Sequence, residues 1–205
     1  MHLKKLFALA AILASTFASA TPVLLTNSAD ASLSGSSQVD FNAEAQGYFS
    51  SRTFGGGAVT FSTSGTQLNI ESTYSGYYAS TGNYLANGSG GNSFNLVFAN
   101  PVSAFGFNWG AADQSWTMQL FNSANTLIGS LNIAAQTNPY AAFIGADGGG
   151  DLIKSVSMVQ ANYDYILLDN LKFTTGEQSA VPEPTTIALL GLGLFGLASA
   201  RRRKN

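Results

Sequence analysis

Apolar residues alternate with polar or small ones along most of this chain. Phe94, Leu96 and Phe98 keep that phase, then Phe105, Phe107 and Trp109, then Trp116, Met118 and Leu120. Side chains of a strand point alternately to opposite faces, so each run predicts a strand buried on one side. The same reading predicts strands over 58–63, 67–73, 126–133, 141–146, 152–160 and 163–173. Turn-forming residues fall between them, at Ser64-Gly65, Asn100-Pro101, 122–125, Asn138-Pro139 and 147–150. Such residues punctuate strands because they supply special backbone angles or local hydrogen bonds. About nine or ten short strands with no amphipathic helix predict an all-β fold, a two-sheet antiparallel β-sandwich of jelly-roll type. No fixed-period repeat is present, which argues against a solenoid.

Both ends depart from the strand pattern. Lys4 and Lys5 precede an apolar run over 6–13, and Ala18-Ser19-Ala20 follows. A basic start, an apolar centre and a small-residue site at Ala18 and Ala20 predict a signal peptide over 1–20, a helix removed by signal peptidase. At the other end Val181, Pro182, Glu183 and Pro184 lead into a charge-free run over 185–200, closed by Arg201, Arg202, Arg203 and Lys204. The two prolines forbid helix across the motif itself. The apolar run predicts a hydrophobic helix, short against the roughly 20 residues that span a bilayer. A terminal basic cluster stays cytoplasmic and stops translocation. The expected organisation is therefore a signal peptide (1–20), a sandwich domain (21–180) and a sorting or anchor segment (181–205).

Composition narrows the chemistry of the domain. It holds three basic residues, Arg52, Lys154 and Lys172, against ten acidic ones, a net charge of −7. Nucleic acid and anionic membrane surfaces are bound by neutralising phosphates, so neither suits this domain as a partner. Cations and neutral sugars remain. The chain has no cysteine, and its one histidine, His2, lies in the signal segment. A Ser-His-Asp triad, a cysteine nucleophile, a His or Cys zinc site and a disulfide are all excluded from the domain.

The tail resembles the PEP-CTERM sorting signal of Gram-negative bacteria on all three of its parts: Val181 to Pro184, the Gly- and Leu-rich run, and Arg201 to Arg203. That resemblance implies recognition by an exosortase, a processing protease of the membrane. It further implies export through the inner membrane, a transient anchor in the hydrophobic helix, and delivery to the cell surface or matrix. The physical logic is a polar recognition motif beside a discarded anchor. The body, from about residue 40 to 173, resembles jelly-roll domains similar to carbohydrate-binding modules. The stretches that carry this are FNLVFANPVSAFGFNW, MQLFNSANTLIGSL and YDYILLDNLKF. It implies polysaccharide as a ligand class, and the tail's resemblance adds the exopolysaccharide that hosts with this sorting system typically make, although fold alone does not establish function.

Two candidate sites follow from the residues. Tyr74, Tyr77, Tyr78 and Tyr84 lie within a stretch dominated by Tyr, Ser, Gly and Asn. That composition suits adaptable binding loops, and tyrosine rings stack on sugars while their hydroxyls stay wet. The alternative is exposed aromatics with no ligand. Trp109 and Trp116 are in phase with core residues and read as packing. In the last strand Asp169 shares its face with Tyr165, Leu167, Leu171 and Phe173 if the alternation is unbroken. A carboxylate among apolar neighbours needs a partner, and structural Ca²⁺ held by Asp169, Asn170 and Asp40 is one solution. A bulge, or the opposite face bearing Ile166 and Leu168, is the other. Asp147 and Asp151 around a Gly loop form a second candidate pair. Three functions are consistent with all this: a non-catalytic exported surface protein that binds polysaccharide, a purely structural or adhesive one, and, ranked last, a polysaccharide hydrolase, to which Glu44, Glu71 and Asp113 could supply carboxylates although no pair stands out.

Overall fold

The structure is a computed structural model that describes residues 21–88 and 90–176. The expected signal helix and the hydrophobic tail helix lie outside the described residues. Among the described residues no helix is long and apolar enough to cross a membrane. The chain divides into two compact units at Thr175, and the first contains every described strand.

Four short strands lead the chain: β1 (Val23–Leu25), β2 (Ser37–Val39), β3 (Gly47–Phe49) and β4 (Ser51–Phe54). Three more follow, β5 (Val59–Ser62), β6 (Leu68–Glu71) and β7 (Tyr84–Ala86). A long strand, β8 (Gly91–Gly110), precedes β9 (Trp116–Phe121), β10 (Leu127–Ile133) and β11 (Ala141–Asp147). The last two are β12 (Ile153–Asp164) and β13 (Leu167–Thr175). Every pairing is antiparallel.

Strand β8 belongs to two sheets at once. Its first half pairs with β12 and β5, building the order β10-β9-β12-β8-β5-β4. Its second half pairs with β11 and β13, building β1-β11-β8-β13-β7-β6-β3, with β2 beside the far end of β13. The two halves face one another, since the rings of Phe98 and Phe105 are 5.5 Å apart and those of Phe94 and Trp109 are 6.5 Å apart. That is the expected sandwich, closed through one shared strand.

The turn expected at Asn100-Pro101 is instead a bulge inside β8. Val97 pairs with Ser155 and Val102 with Ile153, so the four residues between them on β8 oppose Lys154 alone. Proline lacks a ladder donor and fits where pairing lapses. Lys154 Nζ donates to the Ala99 carbonyl at 2.8 Å and ties down this corner. The core fills as the alternation predicts: Phe94, Leu96, Phe98, Phe105, Phe107, Trp109, Trp116, Met118 and Leu120 are all buried.

Candidate functional site

The cleft is assembled at the end of the sandwich opposite that corner. Gly110, the last residue of β8, pairs with Ala141 at the start of β11 and with Leu167 at the start of β13. Antiparallel pairing therefore gathers Ala111 and Asp113 after β8, Tyr140 before β11, and Tyr163, Asp164 and Tyr165 around the β12–β13 turn. The segment between β6 and β7 folds over them and contributes Tyr74 and Tyr78. These eight residues line an open cleft of about 430 Å³. Tyr74 meets Tyr78 and Tyr165 edge to face, with ring centroids 5.8 and 6.1 Å apart.

Specific hydrogen bonds hold the covering segment. Tyr84 is fully buried in β7, and its hydroxyl accepts the Tyr74 N–H at 3.0 Å. Ser80 Oγ donates to the carbonyls of Tyr74 and Tyr77 at 3.1 and 2.8 Å. Asn108 Nδ2 reaches the Ala79 carbonyl from β8 at 2.9 Å, and the Thr81 N–H donates to Asp169 Oδ2 at 2.9 Å. Tyr78, Ala111 and Tyr140, all lining the cleft, have φ of 54°, 61° and 53°. Left-handed backbone in non-glycine residues is costly and gathers where a ligand site over-determines it.

The cleft is electronegative. Asp164 is buried; its Oδ2 accepts from Trp116 Nε1 at 2.9 Å and the Gln114 N–H at 3.3 Å, and its Oδ1 from the Asp113 N–H at 3.4 Å. Burial raises its pKa above the usual aspartate value, more than these donors lower it, and Asp113 adds like charge. Behind the tyrosines, the Tyr165 hydroxyl donates to Glu71 through a short hydrogen bond, and burial with that carboxylate pushes the phenol upward. Asp169 is also raised, chiefly by burial. Asp164 and Asp169 thus hold their protons more tightly folded than unfolded, so folding takes up protons. Their contribution is fully present below the unfolded value of about 3.8 and is lost as pH rises through the raised folded values. These two groups are accordingly expected to make the melting temperature fall as pH rises above about 3.8, a dependence that thermal melts of Asp164→Asn and Asp169→Asn should show reduced.

The sequence-predicted residues meet different fates. Tyr74 and Tyr78 line the cleft. Tyr77 is 67% exposed beside it, in tilted contact with Tyr78 but outside the lining. Tyr84 is not a platform at all, because strand β7 turns its ring inward against Ala86 and Leu167.

In the expected metal set Asn170 follows Asp169 on β13 and Asp40 lies near enough to add like charge to Asp169, but each side chain already has a protein partner. Asn170 has a φ of 51°, and the register slips between Asp169 and Lys172. This bulge reverses the phase of β13, so Ile166 and Leu168 point to the core before it and Leu171 and Phe173 after it. Asp169 is left on the outer face, only 1% exposed beneath the covering segment, where the N–H groups of Thr81 and Asn170 satisfy its two oxygens. Asn170 Oδ1 accepts from Gln38, and Asp40 Oδ1 accepts the Asn42 N–H. Asp147 Oδ1 likewise accepts the Gly149 N–H. Among the described residues no three His, Cys, Asp or Glu side chains group as a metal site.

Sequence reasoning singled out Asp113 only as a possible hydrolase carboxylate and missed Tyr140, Tyr163, Asp164 and Tyr165 as cleft residues. The triplet Tyr163-Asp164-Tyr165 was the available signal, an acid between two tyrosines at a strand boundary.

Residues 180–204 match the PEP-CTERM protein-sorting motif. The chain carries a PEP-CTERM sorting segment. The matched range takes in Val181 to Pro184 and Arg201 to Arg203, which lie outside the described residues. A PEP-CTERM segment implies export, carboxy-terminal anchoring and handling by an exosortase. No curated protein matches the chain. Among solved structures, a family 29 carbohydrate-binding module is 14% identical and covers 74% of this chain and 97% of its own, with a TM-score of 0.37. A mutant of CBM29-2 gives 13% identity, 73% and 98% coverage and a TM-score of 0.38. A family 6 carbohydrate-binding module gives 13%, 68% and 94%, and 0.36. At TM-scores this low the likeness carries no argument, and the sandwich rests on its own strand pairing.

Proposed function

We propose that this PEP-CTERM protein is an exported, non-catalytic surface or matrix component that binds a neutral or cationic polysaccharide in its tyrosine cleft. The observation that carries the reading is the cleft itself, five tyrosines around an open groove at one end of the sandwich. Aromatic faces stack on the apolar faces of sugar rings, and the phenol hydroxyls offer hydrogen bonds at the rim.

The test is affinity electrophoresis of the purified protein through polysaccharide gels. Tyr163 is 77% exposed and Tyr74 is 42% exposed, so Tyr163→Ala with Tyr74→Ala is expected to abolish retardation while moving the melting temperature by only a few degrees. Full retardation of that folded double variant overturns the cleft as the site. No retardation of the wild type by any polysaccharide favours the structural or adhesive reading. Release of reducing ends would promote the hydrolase, for which Asp113 and Asp164 are the carboxylates in the groove.

A further inference from the structure

We infer that the cleft selects glycans bearing free amines, an inference that rests on the polysaccharide reading and narrows its ligand class. Its lining includes two carboxylates, Asp113 and Asp164, and no basic residue. The three basic residues of the described body are all engaged elsewhere. Arg52 pairs with Glu44 at 2.7 Å and donates to the Ala45 carbonyl at 2.7 Å. Lys154 donates to the Ala99 carbonyl at the opposite corner, and Lys172 to the Ser28 carbonyl.

Asp164 receives only neutral donors, from Trp116, Gln114 and Asp113, so its buried position in the cleft wall has no cation opposite it. Asp113 stands beside it, exposed, with one oxygen accepting from Gln114 Nε2 at 3.1 Å. Glu71 adds a third carboxylate behind the aromatic wall through Tyr165. Carboxylates at the wall of a groove focus negative potential into it and raise the local concentration of cations.

The tyrosines act in the same direction. The face of a phenol ring carries negative quadrupole density, and an ammonium within about 6 Å of it is attracted. A glucosamine unit presents both complementary parts, an apolar ring face and a primary ammonium. Its N-acetylated counterpart keeps the ring and loses the charge. An acidic sugar brings like charge to Asp113 and is disfavoured by it.

The experiment compares beta-linked glucosamine oligomers with their N-acetylated counterparts, matched in length and linkage, against the purified full chain in detergent. Wild type is expected to bind the free-amine oligomers more tightly, with the advantage falling as salt is raised. Asp113→Asn is expected to weaken free-amine binding about five-fold or more, the size of one close solvent-exposed charge pair. Asp147→Asn removes the same charge at the far end of β11, outside the cleft, and is expected to leave binding unchanged. Equal binding of the two oligomer classes overturns the amine selectivity and leaves polysaccharide binding standing. An equal loss in Asp147→Asn and Asp113→Asn also overturns it, by showing attraction to the net charge of the body. Binding of neither class, with no other polysaccharide retained, overturns both readings.

Discussion

Tyr84→Ala is expected to unfold the body under conditions in which the wild type is folded, and not merely to weaken a surface. The ring is fully buried on β7 and packs with Ala86 and Leu167, with Tyr78, Ala111 and Tyr165 against the same cluster. Removing a large buried aromatic costs about 3 to 5 kcal/mol, because the cavity left behind only partly collapses. The hydroxyl adds to this. It accepts the Tyr74 N–H at 3.0 Å, so the alanine also strands that donor and loosens the segment over the cleft. For a domain of this size each kcal/mol shifts the melting temperature by roughly 2 to 4 °C, which makes the expected fall on the order of 10 °C. Tyr84→Phe keeps the ring and loses only the acceptor, a change of about 1 kcal/mol. Thermal melts of the two variants read the difference directly. A wild-type melting curve for Tyr84→Ala, with sugar retention lost, would return the ring to the ligand surface.

The contrast between Tyr84 and Tyr74 shows where sequence stops being informative. Both lie in one polar, tyrosine-rich stretch, and composition there gives no way of telling an inward from an outward ring. What separates them is that residues 84–86 form a three-residue strand between β6 and β13. A strand that short is too brief to show alternation. The same limit hides β1 to β4, whereas the long runs of β8, β9 and β12 announce themselves by phase. Strand β13 shows a different limit. Its alternation is legible on either side of Asn170, but a single left-handed residue reverses the phase, and an Asp-Asn pair is only a weak sign of that. The metal reading of Asp169 was argued from an unbroken phase, and the bulge takes that ground away. The cleft was half legible: Tyr74 and Tyr78 come from one local stretch, while Tyr140, Tyr163 and Asp113 reach it only because Gly110 pairs with strand starts distant in sequence.

Gly110→Ala is expected to abolish ligand binding while leaving the sandwich largely intact. Gly110 ends β8, fixed by Ala141 on one side and Leu167 on the other, so its backbone has little room to retreat. A Cβ at this position would overlap the Tyr78 carbonyl oxygen and lie 2.7 Å from the Tyr78 Cβ. The covering segment must therefore lift. Lifting it strains the hydrogen bonds from Asn108 to Ala79 and from Thr81 to Asp169, the two that hold residues 79–81 on the outer face of the sheet. Overpacking of this kind typically costs about 1 to 3 kcal/mol, less than the loss expected for Tyr84→Ala. Its functional effect is larger than its energetic one, because Tyr78 stands on the displaced segment and Tyr74 follows it through their ring contact. Limited proteolysis is expected to cut within 72–83 in Gly110→Ala and to spare the wild type, with sheet content by circular dichroism unchanged. Gly65→Ala is the control, since its added methyl meets nothing closer than Thr63 Oγ1 at 3.9 Å. A protease-resistant Gly110→Ala that still retards in polysaccharide gels would mean that the cleft does not depend on how closely this segment approaches β8.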